Sequence, residues 1–462
     1  MHRVRRRCYG PSHAARAPGA QVRASGFTRP GAPPPARAPT PPRGVRRQFV
    51  AILASRGLGS ALQAVALVLL ARSVPAAEFG VVNVVIGVVG LLLVATGFGM
   101  SVYVPRARAL GQDDDVAAGL RLNAVANLAT AVVLLAALAA WASSTQVPLG
   151  VLLIGASLAL ERNVDTVLGV PVADGDALAP AVSMVLRRTI TLAVLVPGLA
   201  LGLDPVWSYT GGLLAGALAA QLHVRRVVRR LPGRASAVGT STLLRRSWPY
   251  LVSNLTGQVR TLDTTLVAIA LTPAAAGLYA AAAKLVQPLL LVPQTIAAVI
   301  TPHATRLDPA AARRLGLRLV LAFAACLVLG IPIMVWAEEI VVLVMGEQYA
   351  GGGPVLAWCL AGLPFIAMSA SLGALLQGQG RARMVAVNGL VFAVVLVVVV
   401  LGGALIGGVV GAAGGLSGTY LLRATVLAWA VRSLRPGAPG PAVTPSPAGA
   451  AVDCPGETST LG

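Results

Sequence analysis

Charge is what this sequence has least of. Only 11% of its 462 residues are Asp, Glu, Lys or Arg, against about 25% in an ordinary soluble domain. Lysine is reduced to one residue, Lys284. The chain therefore has no GxxxxGK[ST] loop, which excludes an ATPase built on that phosphate cradle. HExxH and GxSxG are missing too, and with them the usual zincin and serine-hydrolase chemistries. Cysteine is sparse and scattered: Cys8, Cys326, Cys359 and Cys454 form no CxxC or Cys/His spacing. Neither a metal site nor a disulfide framework is indicated, and no cofactor is expected.

Apolar residues fill the space. They make up 56% of the chain, with 51 glycines and a mean hydropathy of +0.78. Small residues at this density suit helices packed closely in lipid. The formal net charge of +21 raises the question of nucleic acid. Its placement argues against that partner, because the arginines crowd into the ends and a few short loops between long apolar runs. The composition is that of an all-α polytopic membrane protein, with membrane lipid as its surroundings.

Residues 1–47 are rich in Arg, Pro and Ala and carry no apolar period, so they read as a disordered tail; residues 433–462 read likewise. Between them lie about twelve runs of roughly 20 residues, each long enough to span a bilayer. These are approximately 48–72, 79–104, 118–142, 148–171, 178–203, 205–224, 247–271, 275–300, 315–336, 354–378, 384–404 and 408–432. Alternate loops are basic. Arg106, Arg108 and Arg121 belong to one, residues 223–246 to the next, then Arg306, Arg313, Arg314 and Arg318, then Arg381 and Arg383. The loops between them lack clear basic residues, and Arg72 is the only basic residue at their boundary. The positive-inside bias puts the basic loops and both termini in the cytoplasm, as an even number of spans requires.

The most basic loop, 225–246, falls near the middle. It divides the chain into an N-terminal lobe over 48–224 and a C-terminal lobe over 247–432, each of six spans. Each lobe repeats one device between its first two spans. "LVLLARSVPAAEFGVV" starts at Leu67 and "VAIALTPAAAGLYAAAAK" starts at Val267. Both leave an apolar run, turn at Pro-Ala-Ala, and re-enter with an aromatic residue close behind. The identical position points to duplication, and both halves start on the same side, so the repeat is parallel.

The first hairpin, with "LLARSVPAAEFGVVNVVIGVVGLLLVATGFG", resembles that of the polysaccharide flippases of the multidrug/oligosaccharidyl-lipid/polysaccharide exporter superfamily. "LDTTLVAIALTPAAAGLYAAAAKLVQPLLLVPQTIAAVITPHATRL" resembles their seventh and eighth spans. "VMGEQYAGGGPVLAWCLAG" and "LLQGQGRARM" are similar to segments around their tenth. The resemblance implies two six-helix lobes around a central cleft that opens alternately to each side. It implies a lipid-linked glycan of the polyprenyl pyrophosphate type as cargo, polysaccharide assembly proteins as partners, and the bacterial cytoplasmic membrane as location. In that family the cleft is lined by spans 1, 2, 7 and 8.

Ionisable residues are expensive inside a bilayer, about 2.5–3.5 kcal/mol each on insertion scales, so those within the spans are the first site candidates. Arg56, Ser60 and Gln63 make a polar stripe on span 1, and Asn254, Gln258 and Arg260 lie together on span 7. With Lys284 of span 8 these are the expected cleft residues, and a guanidinium in such a cleft suits a pyrophosphate. Helix–helix contact or snorkelling is the plainer account of the same residues. Glu161 and Asp165 of span 4 face Arg187 and Arg188 of span 5 at similar depth, as an ion-pair cluster or a coupling site. Asp263 and Lys284, on helices joined by a tight turn, are expected to pair. No enzymatic role is expected. Two further readings stay open: a cation-coupled drug exporter of the same superfamily, and a membrane-embedded glycan polymerase or ligase.

Overall fold

The structure, a computed structural model, describes residues 45–145, 147–176, 178–228, 238–305 and 307–434. These all belong to one compact unit. The expected tails lie outside the described residues apart from their inner ends, and so do residues 229–237 of the basic connector between the lobes. Every described regular element is a helix. Lipid offers the backbone no partner, so each span must satisfy its own N–H and C=O groups.

The N-terminal lobe contains α1 (Val45–Ser73), α2 (Ala76–Thr96), α3 (Met100–Ala109), α4 (Asp113–Ser144), α5 (Leu152–Ala173), α6 (Leu178–Ala200) and α7 (Pro205–Val227). The C-terminal lobe contains α8 (Thr240–Gln258), α9 (Asp263–Ala270), α10 (Pro273–Val286), α11 (Leu291–Ala304), α12 (Pro309–Val335), the short α13 (Ala337–Met345), α14 (Gly353–Gly378) and α15 (Ala382–Arg432). Eight of the described helices are long and apolar enough to cross a membrane. One of these, α15, holds two crossings folded back on each other at Gly407 and Gly408, where φ reaches +61° at Gly408. Helix α5 is of spanning length but carries Glu161, Arg162 and Asp165. The remaining crossings are α7 and the α8–α9 pair, both more polar in composition. The molecule is thus an all-α membrane protein of twelve crossings in two six-helix lobes around a central cleft.

Three crossings start with the same signal. Asp204, Thr272 and Asp308 are N-caps followed by Pro at the first helical position. Their side-chain oxygens accept from Trp207 N at 2.8 Å, Ala275 N at 3.1 Å and Ala311 N at 3.0 Å. Pro loses nothing there, because that N–H has no helical partner anyway. The outer surface is apolar: Val132, Val133, Leu329, Ile331 and Val335 are all exposed. In water such a surface would be a liability; in a bilayer it is the surface that lipid covers.

Three crossings are broken at depth. Between α2 and α3 the chain passes through Phe98 and Gly99 with φ of +49° and +74°. Val259–Leu262 forms a 3-10 turn between α8 and α9, and Gln287–Leu290 forms another between α10 and α11. Non-helical backbone inside a membrane is tolerated where it lines a cavity, and both 3-10 turns do so here.

Call the end of the bundle holding Val45 and Leu434 the terminal end, and the opposite one the distal end. The two Pro-Ala-Ala hairpins meet at the distal end. Gly80 of α2 faces Gly277 of α10 so closely that a Cβ on Gly80 would sit 2.7 Å from Gly277 N. Behind this contact Phe79, Val82, Tyr279, Ala280 and Tyr349 are fully buried in one cluster that draws on both lobes. Phe79 meets Tyr349 edge to face, with ring centroids 5.9 Å apart. The repeated motif is therefore a repeated contact surface: each copy supplies one half of the seal between lobes.

Arg72, the odd basic residue at a neutral boundary, also has its reason. Its guanidinium donates to Val344 O at 2.9 Å and to Leu343 O. These are carbonyls in the last turn of α13, which a cation complements. Tyr349 Oη donates to Ala71 O at 3.1 Å beside it. At the terminal end the lobes touch through α3, α4 and α8. Arg246 bridges to Asp115 at 2.7 Å, Asn254 donates to Ser101 Oγ at 3.1 Å, and Arg106 donates to the Tyr250 hydroxyl. Asp115 sits in the first turn of α4, where the run of three carboxylates also complements the positive end of the helix dipole. Its neighbour Asp113 joins Asp174 on Arg108, and the hydrogen bond that Arg108 donates to Asp174 is the chief reason that guanidinium is held above its ordinary value.

Candidate functional site: a cavity between the lobes

A cavity of about 500 Å³ lies between the lobes. From the N-terminal lobe it takes Ser60 and Gln63 of α1, Glu161 of α5, Arg188 of α6 and Tyr209 of α7. From the C-terminal lobe come Gln258, Arg260, Asp263 and Lys284. Helix phase explains the first pair: Ser60 and Gln63, three residues apart, share a face of α1. On the other wall the 3-10 turn re-aims the chain, so that Gln258, Arg260, Thr261 and Asp263 all reach the cavity.

The two walls differ in charge. On the N-terminal side the acids and bases neutralise each other. Arg187 bonds Asp165 at 2.9 Å and Glu161 at 3.0 Å, and Arg188 bonds the same oxygen of Glu161 at 2.8 Å. Arg187 is buried behind the wall; of the four, only Glu161 and Arg188 line the cavity. On the C-terminal side neither Arg260 nor Lys284 joins any salt bridge among the described residues. Asp263 is occupied elsewhere: it accepts from Thr264 N at 2.7 Å and from the Tyr279 hydroxyl at 3.2 Å.

The expected Asp263–Lys284 pair is thus not formed, and the reason is depth. Taking α10 to start near Gly277 matches Lys284 with Asp263. The helix instead starts at Pro273, which carries Lys284 eleven residues, about 16 Å, from the distal end. Asp263 is seven residues, about 11 Å, from the end of α9. Tyr279, six residues into α10, is the side chain at that level, and it takes the carboxylate.

Two other expected cleft residues are placed elsewhere. Arg56 is exposed and does not line the cavity. Asn254 faces Ser101 in the terminal contact between lobes. Gln63 donates to the Tyr209 hydroxyl at 3.2 Å, and its buried Oε1 has no partner among the described residues. Lys284 also borders a second space, an apolar slot of about 320 Å³ walled by Ala64, Val65, Val68, Leu285 and Val344. The cavity and the slot thus share an ammonium.

The family model described as "polysaccharide biosynthesis protein" matches residues 45–307, from the start of α1 to the end of the eighth crossing. The chain belongs to the polysaccharide biosynthesis protein family. Among curated proteins nothing matches it. Solved structures agree on the fold. An inward-facing multidrug resistance MATE family transporter of the MOP superfamily is 15% identical, with a TM-score of 0.62 over 83% of this chain and 97% of that one. An outward-facing structure with the same description is 16% identical, with a TM-score of 0.57 over 84% and 95%. The Vibrio cholerae MATE transporter VcmN in its bent form is 13% identical, with a TM-score of 0.55 over 83% and 95%.

The fold is the one these transporters share, and the molecule is a multi-pass membrane protein of the polysaccharide biosynthesis protein family. For a member of the polysaccharide biosynthesis family, the notable omission from the sequence reading is Arg423. It lies inside the twelfth span, nine residues before Arg432, so the criterion applied to the other buried charges would have selected it. Tyr209 and Tyr279 were missed for a different reason. Each is fully buried with its hydroxyl on a cavity residue, and nothing in their spacing separates them from core aromatics.

Proposed function

We propose that this protein moves a lipid-linked oligosaccharide across the bacterial cytoplasmic membrane by alternating access. Arg260 and Lys284 take the phosphates of its polyprenyl pyrophosphate. The observation that carries this reading is the asymmetry of the cavity: two cations without carboxylate partners on one wall, an internally neutralised cluster on the other. A cationic drug would need free acid in the cavity. Here Glu161 is held by two arginines and Asp263 by Tyr279 and Thr264.

The chemistry fits an amphiphile. Desolvated guanidinium and ammonium groups bind phosphate oxygens through charge-assisted hydrogen bonds. The apolar slot beside Lys284 suits the isoprenoid chain, and Ser60, Gln63 and Gln258 supply hydrogen bonds for sugar hydroxyls. By the positive-inside rule the terminal end is cytoplasmic. With Gly80 against Gly277 at the distal end, the cavity is closed to the outside and waits for cargo from within. Glu161, Asp165, Arg187 and Arg188 fasten the N-terminal wall in this reading, with Glu161 and Arg188 placed to feel arriving charge. Polysaccharide assembly proteins are the expected partners.

Binding of short isoprenoid pyrophosphates tests this. Farnesyl pyrophosphate should bind the purified protein in detergent, and farnesol, lacking the charge, should not compete. Equal binding of farnesol, or preference for a lipophilic cation, would overturn the reading.

A further inference from the structure

The C-terminal lobe holds a second basic cavity that the exporter reading does not use. It has a volume of about 470 Å³ and lies on the far side of α8 from the central one, between α8, the end of α14 and both halves of α15. Two guanidiniums reach it. Arg260 stands at the partition and borders both spaces; Arg423 belongs to this one alone. The Nε of Arg423 is buried and has no hydrogen-bond partner among the described residues. Among the described residues lining the cavity there is no carboxylate. Tyr420 lies beside both arginines.

An arginine placed so deep without an acid is costly. Arg423 is nine residues, about 14 Å, from the terminal end of its helix. That placement calls for an anion that the protein chain does not supply. The rest of the lining says which kind. Val252, Val387 and Leu390 border the cavity and are exposed on the outer surface. The space therefore opens sideways toward lipid, and Phe392, Ala393 and Leu396 continue it as an apolar wall. A small aqueous anion has no apolar part to place there. A lipid phosphate has both parts: head on the guanidiniums, chains passing out between α8 and α15.

We infer that this groove is a binding site for an anionic membrane phospholipid, with Arg423 as its principal phosphate contact. Its principal contact, Arg423, lies outside the cargo cavity, with Arg260 bordering both, and the inference does not rest on the cargo assignment. It would tie α8, which carries the 3-10 turn holding Arg260, to the hairpin of α15.

Native mass spectrometry of the full chain in detergent tests it, with dioleoylphosphatidylglycerol and dioleoylphosphatidylcholine as probes. The wild type should keep one phosphatidylglycerol under activation that strips phosphatidylcholine. Arg423→Ala should lower the retained fraction about tenfold, as loss of a charge-assisted contact does. Arg314→Ala, an exposed arginine on α12, should leave it unchanged. Should the Arg423 variant fail to fold, Gly389→Leu stands in. A Cβ at Gly389 would already lie 3.8 Å from the Arg423 guanidinium, so a leucine blocks the head-group position without removing charge. Retention unchanged in these groove variants, equal retention of phosphatidylcholine, or displacement of the lipid by millimolar inorganic phosphate would overturn the inference.

Discussion

Arg187 and Arg260 are both arginines inside a membrane, yet they should fail in opposite ways when removed. Arg187 is 8% exposed at its side chain and holds two carboxylates. Arg187→Ala leaves Glu161 and Asp165 facing each other in a low-dielectric wall, and breaking such a network costs about 3–5 kcal/mol. Lower yield and a lower melting temperature are the expected result. Arg260→Ala and Lys284→Ala remove cations that fasten nothing by a salt bridge. Melting should stay near wild type while farnesyl pyrophosphate binding weakens about ten- to a hundredfold, the value of a charged hydrogen bond. A calorimetric titration beside a thermal melt separates the two outcomes. At this scale the sequence was legible in part. Intramembrane position picked out Glu161, Arg187, Arg188, Arg260 and Lys284, because the cost of burying charge is the same whatever the fold. It could not say what each meets. The partner of Asp263 turns on four residues of helix start, between Pro273 and Gly277, and Arg56 turns on which face of α1 looks inward.

At the scale of elements, the hairpin contact is the point most open to test. Gly80 and Gly277 let α2 and α10 approach to backbone distance, and no other residue fits there without moving a helix. Gly277→Val should therefore hold the distal end apart. A cysteine at Ser60, placed in an otherwise cysteine-free chain, should gain reactivity to an impermeant maleimide added from the distal side. Unchanged reactivity would show that the seal is not made at this glycine pair. The repeat of Pro-Ala-Ala with a following aromatic was visible in the sequence. The breaks were not. Nothing in "GQVRTLD" announces a 3-10 turn at Val259–Leu262. The turn is held by packing of both lobes around a cavity, which is information that a local stretch does not carry. The fold of α15 at Gly407 and Gly408 lies in a glycine-rich run where many positions would turn equally well.

For the whole molecule, composition settled the class and charge asymmetry proposes the orientation. Cysteines at Gly380 and Ser144 test that orientation: the first should be protected from an impermeant reagent in intact cells and the second labelled, and the reverse pattern would invert the molecule. The central claim is that the cavity carries a lipid-linked phosphate, and one assay addresses it most directly. The protein is reconstituted into vesicles with a fluorescent sugar on polyprenyl pyrophosphate, and inward and outward label are distinguished by a membrane-impermeant quencher. Wild type should equilibrate the lipid between leaflets. The Arg260→Ala, Lys284→Ala double variant, folded by its melt, should not, and the same sugar on an uncharged polyprenyl chain should not be moved by either. Equal flipping of charged and uncharged lipids, or wild-type rates from the double variant, would contradict the account.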